Sequence, residues 1–168
     1  RDLFGTPRYA VELLLPFIPK SVKYIWECAA GEMLISNVLK EHEYLVLSSD
    51  INSKSVPVNF LDVSLDRFVY DCIITNPPFS LKFEFYTRCI KANVPFALLM
   101  PADYSGWIIN SLRVDGCQKI VPTRRIDYIT PTGKSGKNSR SQFHSIWLTR
   151  YFGLDSSEIF VDLSLEMK

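Results

Sequence analysis

The feature that most constrains this chain is a short apolar strand that stops at two consecutive prolines. Residues 72–75 read Cys-Ile-Ile-Thr, and Asn76-Pro77-Pro78-Phe79 follows directly. A short apolar, partly β-branched run with a stop signal behind it predicts a buried strand. Two prolines fix φ and remove two N–H donors, so the hydrogen-bonded ladder cannot continue. Asn76 is therefore predicted to lie at the carboxyl end of a strand.

The carboxyl ends of the strands are where open α/β sheets bind their ligands. At such an edge, the Asn76 amide oxygen and the Pro77 carbonyl can together accept both hydrogens of one amino group. The ring of Phe79 offers a flat face for stacking on another aromatic ring. The alternative is a strand followed by an ordinary Pro-Pro turn.

Strand and helix patterns alternate along the first hundred residues. Strands are predicted at residues 22–28, 45–50, 56–60, 70–75 and 94–100, with β-like runs at 118–129, 143–152 and 157–163. Helices are predicted after Thr6-Pro7, after residue 31, after a cap at Ser80, and near 104–114. Alternation of this kind indicates an α/β fold with a doubly wound, mostly parallel sheet, here of seven strands. The runs at 118–129 and 143–152 lack an intervening helix, which predicts an antiparallel hairpin at the sheet edge.

Composition limits the classes of protein that fit. A length of 168 residues favours one domain spanning residues 1–168. The net charge of +1 means that any contact with nucleic acid must come from a local patch. Four cysteines without a C-x-x-C pair predict reduced, buried thiols and no metal site. The absence of a long apolar run predicts a cytoplasmic protein without a membrane partner.

A turn of small residues follows the first predicted strand. Glu27 is followed by Ala29, Ala30 and Gly31, and then by a helical pattern. Strand, small-residue turn and helix is the general design for binding a nucleotide-like ligand at a helix N-terminus. Acidic residues in the turn disfavour a polyphosphate and favour a cationic nucleoside. Asp50, at the end of the second predicted strand, stands where ribose hydroxyls are accepted, although an acid there is also common in turns.

These residues, in this order, resemble the motifs of class I S-adenosylmethionine-dependent methyltransferases. The matching segments are Thr6-Pro7, Glu27 to Gly31, Asp50, Asp62 and Asn76-Pro77-Pro78-Phe79. The resemblance is to the small adenine-N6 enzymes of bacteria and phages, including those of restriction–modification systems, and the motif order matches their gamma group. It implies a Rossmann-like methyltransferase fold, S-adenosyl-L-methionine as cofactor and a bacterial or phage-encoded protein in the cytoplasm.

The resemblance also implies a role for each matching residue. Thr6, Pro7, Glu27, Ala30 and Gly31 would hold the methionine part of the cofactor, and Asp50 its ribose. Leu61 and Asp62 would bind the cofactor adenine, although Asn59 and Asp66 are alternatives to Asp62 for this role. The catalytic set would be Asn76, Pro77, Pro78 and Phe79, with Asn76 also next to the cofactor. Members of the family usually have Gly where this chain has Met33, whose side chain could crowd the cofactor or point away.

A polar loop between the last β-like runs carries Lys134, Lys137 and Arg140 and no acid. We expect this loop either to contact a nucleic-acid backbone or to be a solvated hairpin tip. The predicted function is therefore methylation of adenine N6, with DNA favoured over RNA. Methylation of RNA adenine or protein glutamine, and a degenerate methyltransferase fold that binds nucleic acid or assembles with a partner, are the alternatives. Without a separate target-recognition domain, we expect weak sequence preference, a very short site, or recognition through a homodimer or a partner subunit.

Overall fold

The structure is a computed structural model that describes residues 4–130 and 143–168. Within these residues, seven strands form one sheet, one α-helix precedes it in the chain and three α-helices lie between strands. The strands are β1 (Tyr24–Glu27), β2 (Leu45–Ser48), β3 (Cys72–Thr75), β4 (Phe96–Pro101), β5 (Gln118–Pro122), β6 (Ser145–Arg150) and β7 (Glu158–Val161). The helices are α1 (Arg8–Glu12), α2 (Leu34–Glu41), α3 (Lys82–Ala92) and α4 (Gly106–Arg113). Short 3-10 turns cover Leu15–Phe17, Phe79–Leu81 and Leu165–Met167.

The sheet has the strand order β2-β1-β3-β4-β6-β5-β7. Four neighbouring pairs are parallel, and β6 runs antiparallel to both β4 and β5. The predicted α/β class, the mostly parallel seven-stranded sheet and the antiparallel pair are confirmed. β7 adds in parallel outside β5, so the antiparallel pair lies one strand in from the edge.

Two hydrophobic clusters cover the two faces of the sheet. α1 and α2 pack on one face, where α2 buries Ile35, Val38 and Leu39 at helical spacing. α3 packs on the other face through Phe85 and Cys89. The strand β3 is buried along its whole length, because its successive side chains enter the two clusters alternately. This placement explains its unbroken apolar sequence.

The strand predicted at residues 56–60 is wrong. This segment makes only an isolated bridge between Asp50 and Pro57. Proline cannot donate to a ladder, and the Asn59 side chain instead accepts from the backbone N–H of Leu61 at 3.0 Å, which closes a turn. The apolar side chain of Phe60 serves packing here, because its ring meets that of Trp26 edge-on, with centroids 5.1 Å apart.

The predicted helix caps are also wrong. Pro7 occupies the N-cap of α1 without a side-chain cap, so Thr6 does not cap this helix. Ser80 lies in a 3-10 turn, and the N-cap of α3 is Leu81. Each helix begins one residue later than the sequence pattern predicts, so Thr6 and Ser80 each precede the N-cap position.

Candidate active site

The strand order reverses between β1 and β3, because β2 lies outside β1 and β4 lies outside β3. Crevices of open α/β sheets form at the carboxyl ends of strands at such a point. Glu27 ends β1 and Thr75 ends β3. The Thr75 hydroxyl donates a hydrogen bond to Glu27 Oε2. The two strand ends that the sequence singled out are therefore adjacent and directly linked.

The carboxyl group of Glu27 is buried, with 1% of the residue exposed. Its Oε2 atom also accepts from the backbone N–H of Ala29 at 3.2 Å. Burial raises the pKa of Glu27 to about 7, although both hydrogen bonds act in the opposite direction. Glu27 thus titrates near neutral pH, and a cation placed beside it would favour its charged form.

The small-residue turn connects Glu27 to α2 through two residues with positive φ. Gly31 has a φ of 49°, and a Cβ atom at this position would meet nothing within 4 Å. Met33 is the N-cap of α2 with a φ of 69°, in the left-handed region that disfavours side chains with a Cβ. The Gly that the sequence resemblance implies at this position would meet this backbone requirement without strain, whereas this chain has a strained Met there.

Asp50 lies beside this turn. Its Oδ2 atom accepts from the backbone N–H of Gly31 at 3.0 Å, and its Oδ1 atom accepts from that of Asn52 at 2.9 Å. Asp50 is half-buried, so it is not closed off from solvent. The structure therefore brings Asp50 to the turn that contains Glu27 and Gly31, 19 positions from Gly31 in the sequence.

Leu61 and Asp62 occupy the turn after Phe60. Leu61 is half-buried against the second core cluster, whereas Asp62 is exposed and accepts from the Asn59 side chain at 3.0 Å. Arg88 on α3 holds the segment, because its guanidinium donates to the Phe60 carbonyl at 3.2 Å and to the Val63 carbonyl. Sequence reasoning missed Arg88, since a lone arginine on an amphipathic helix carries no local signal.

Asn76 is oriented by the segment that precedes α1. Its Nδ2 atom donates to Thr6 Oγ1 at 3.1 Å, and Thr6 is 5% exposed. Paired backbone hydrogen bonds of 2.8 Å between Gly5 and Ile129 place Thr6 there. Pro77 is buried and Pro78 half-buried. The amide nitrogen of Asn76 therefore faces the protein, which leaves its Oδ1 atom as the acceptor for a ligand.

An aromatic pair stands next to this amide. The ring of Phe79 stacks on that of Phe143, with centroids 5.5 Å apart and an interplanar angle of 28°. The Lys82 ammonium lies 4.6 Å from the centroid of the Phe79 ring. Phe143 was also missed, because it lies 64 positions further along the chain, and only the placement of β6 next to β4 brings it to Phe79.

The predicted nucleic-acid contacts Lys134, Lys137 and Arg140 lie outside the described residues. Across residues 4–130 and 143–168, no group of three or more His, Cys, Asp or Glu side chains is arranged to hold a metal ion. Cys28, Cys72, Cys89 and Cys117 are free and buried, as predicted. None of the helices in this part of the chain is long and apolar enough to cross a membrane.

Comparison with known proteins gives a likeness in structure only. No family model matches the sequence, and no curated protein matches it. The methyltransferase subunit of a type I restriction–modification system from Streptococcus thermophilus superposes with a TM-score of 0.61 at 13% identity, over 95% of this chain and 47% of that chain. The 23S rRNA methyltransferase ErmE gives a TM-score of 0.56 at 11% identity, over 88% and 69%.

A dimethyladenosine transferase from Plasmodium falciparum gives a TM-score of 0.51 at 12% identity, over 88% of this chain and 62% of that chain. The chain thus spans about half the length of the type I subunit. At these identities the comparisons bear on architecture alone. The chain adopts the fold of these methyltransferases.

Proposed function

We propose that this protein transfers a methyl group from S-adenosylmethionine to the N6 amino group of adenine in DNA. The observation that carries the proposal is the fixed amide of Asn76 at the carboxyl end of β3. Because Nδ2 donates to Thr6 Oγ1, Oδ1 remains as the acceptor of the amide. Together with the Pro77 carbonyl, it provides two acceptors for the two hydrogens of an exocyclic amine.

These two acceptors act on the nucleophilicity of the amine. The lone pair of an adenine amino group is delocalised into the ring, which makes the nitrogen a weak nucleophile. Accepting both hydrogens at Asn76 and Pro77 favours a tetrahedral nitrogen with its lone pair free. S-adenosylmethionine supplies an electrophilic methyl group, so the task of the protein is positioning and electrostatic stabilisation.

The end of β1 supports binding of such a cofactor. The turn at Gly31 has open space above it, where a ligand can approach the backbone. We assign Glu27, Ala30 and Gly31, with Thr6 and Pro7, to the methionine end, and Asp50 to the ribose hydroxyls. Leu61 and Asp62 are assigned to the cofactor adenine, on the segment that Arg88 holds.

The target base is assigned to the ring of Phe79. A base inserted between Phe79 and Phe143 needs two stacking contacts of roughly 3.5 Å each, about 7 Å in total. The present centroid separation is 5.5 Å. Base entry therefore requires Phe143 to move outward or aside, and a base in a duplex must first be flipped out of its stack.

DNA is favoured over RNA by the type I subunit among the structural neighbours, whose superposition covers 95% of this chain. RNA adenine is the alternative substrate, since ErmE is an rRNA enzyme. Phe79 at the last motif position favours a nucleic-acid base over protein glutamine. We infer a catalytic domain that finds its target through weak preference, a homodimer or a partner subunit, with Lys134, Lys137 and Arg140 as backbone contacts.

The experiment is methyl transfer from labelled cofactor to DNA, RNA and protein, followed by nucleoside analysis of the product. We expect N6-methyladenine in DNA. Asn76→Ala should abolish the product while S-adenosylmethionine still binds, because Asn76 contacts the acceptor amine. Full activity of this variant would refute the assigned role, and label in RNA alone would select the alternative substrate.

A second candidate function is a degenerate methyltransferase fold that binds nucleic acid or assembles with an active subunit. The observation that favours it is Met33, a strained residue in the cofactor turn. Calorimetry with S-adenosylmethionine separates the two functions. Binding supports the enzyme, whereas no heat of binding by a folded sample supports the degenerate fold.

A further inference from the structure

A groove of about 410 Å³ lies beside the candidate active site, at the same edge of the sheet. It is bounded by the residues that follow β4, by the ends of β5 and β6 and by β7. Its polar, charged and aromatic lining residues include Tyr104, Lys119, Thr123, His144, Glu158 and Phe160. Ile146, from the core cluster shared with α3 and α4, also lines it.

Two contacts join the groove to Phe79. Phe143 stacks on Phe79, and the next residue, His144, lines the groove. Lys82, whose ammonium lies over the Phe79 ring, is 3.6 Å from Asp103 Oδ2, and Asp103 also lines the groove. These contacts place the groove next to Phe79, within reach of the nucleotide that neighbours a base bound at that ring.

The groove exposes two aromatic rings beside a buried ammonium. Tyr104 is 63% exposed and Phe160 is 67% exposed, although both line the groove. Lys119 is only 6% exposed; its Nζ atom donates to the Tyr104 hydroxyl at 2.8 Å and lies 3.5 Å from Glu158 Oε2. An ammonium has three donors, so a third stays available to a ligand next to the Glu158 carboxylate.

The charges around the groove balance. Lys82 and Lys119 are each paired with a carboxylate, those of Asp103 and Glu158. A phosphate gains nothing from such a balanced set, whereas a neutral aromatic ring can stack and hydrogen-bond there. Aromatic platforms of this type bind the bases of single strands. An ammonium beside a carboxylate also matches a base edge that has an acceptor next to an amino group.

We propose that this groove binds the unstacked base that neighbours the target adenine, by stacking on Tyr104 and Phe160. The proposal rests on the proposed function, because it takes the orientation of the strand from Phe79. It assigns recognition of a flanking base to the catalytic domain itself. Bases with an acceptor beside an amino group, such as cytosine and guanine, are preferred there.

The test is equilibrium binding of short single-stranded DNA, without methyl donor, by fluorescence anisotropy. One oligonucleotide is intact and contains one adenine; others have an abasic site at the adenine or at either neighbour. We expect an abasic neighbour on one side to weaken binding roughly 5- to 150-fold, the range for one stacked base. The double variant Tyr104→Ala/Phe160→Ala should bind the intact strand more weakly by the same factor. An abasic neighbour should not weaken its binding further.

Tyr24→Ala is the matched control, because Tyr24 is an exposed aromatic residue at the opposite end of the sheet, where β1 begins. Tyr104→Phe keeps the ring and should keep the affinity, which separates stacking from a folding defect. An abasic penalty that persists in the double variant overturns the proposal. If only the abasic adenine weakens binding, the groove assignment is wrong and the proposed function stands. If only an abasic neighbour weakens binding, the recognition of adenine at Phe79 is wrong. If neither abasic site weakens binding, both assignments are wrong.

Discussion

Asn76 and Thr6 are 70 positions apart in the sequence, yet Asn76 Nδ2 donates a hydrogen bond of 3.1 Å to Thr6 Oγ1. An amide can rotate by half a turn and exchange its donor and acceptor. In the structure the Thr6 hydroxyl accepts from Nδ2, which leaves Oδ1 to accept from another donor. Thr6 therefore acts as a positioning residue for the proposed acceptor of the target amine.

Thr6→Val keeps the shape of the side chain and removes the hydroxyl. We expect kcat to fall about tenfold, the effect of one hydrogen bond of about 1.4 kcal/mol. The rise in the Kd for S-adenosylmethionine should be smaller than the fall in kcat, although Thr6 is also assigned to the methionine end of the cofactor site. Thr6→Ser, which keeps the hydroxyl, should restore kcat. Steady-state kinetics and calorimetry of both variants provide the check, and an equal loss in Val and Ser would contradict a positioning role.

Glu27 predicts that cofactor affinity depends on pH. Its pKa is raised to about 7 by burial, and a cationic ligand binds its charged form better. Lowering the pH from about 7.5 to about 6 should therefore weaken S-adenosylmethionine binding by roughly an order of magnitude, with uptake of a proton by the free protein. Calorimetry at both pH values measures this change. Glu27→Gln should bind weakly at both, and a wild-type affinity that is flat with pH would argue against contact between Glu27 and the ligand cation.

The same residue makes a prediction about stability that does not depend on any ligand. The native carboxyl has a pKa of about 7 and the ordinary value is 4.5, so the native state binds more protons between these values. The free energy of unfolding then decreases as the pH rises through this window, by on the order of 3 kcal/mol.

Glu27→Gln is neutral at every pH and should lack this decrease. The difference in unfolding free energy between the variant and the wild type should therefore increase from about pH 4.5 to about pH 8, as followed by denaturant titration. Glu12→Gln, at an exposed salt bridge with Arg8, is the control and should show little change. A constant difference for Glu27→Gln would mean that the carboxyl is not desolvated.

Two variants of Met33 separate the effect of backbone strain on stability from the effect of the side chain. Met33→Ala removes the side chain but keeps a Cβ at φ 69°, whereas Met33→Gly removes both. We expect the Gly variant to be more stable than the Ala variant by about 1 kcal/mol. At Glu32, which has no positive φ, Ala should be the more stable of the two. Thermal unfolding of the four variants is the measurement, and the same order at both positions would contradict a left-handed Met33.

Cofactor affinity of the Met33 variants tests a separate point. If the side chain crowds the crevice, both variants should bind S-adenosylmethionine more tightly than the wild type. Equal affinity in all three proteins would show that the side chain points away from the ligand.

Much of the fold follows from local patterns. Buried strands such as β3 and amphipathic helices such as α2 are recognisable because apolar spacing and stop signals act within a few residues. The strand predicted at 56–60 failed because an apolar run containing Pro57 is consistent with either a strand or a turn. In that segment Asn59 closes a turn, and Phe60 packs on Trp26, a contact that is not visible locally.

The sequence by itself determined the alternating α/β order, the strand that ends just before Asn76, and the acids Glu27, which ends β1, and Asp50, which follows β2. Only the tertiary structure decided that Thr6 orients Asn76, that Phe143 covers Phe79, and that Glu27 is desolvated enough to titrate near pH 7. The physical reason is range. Propensity and periodicity act between neighbours in the chain, whereas these contacts and this desolvation depend on which strands the sheet places side by side.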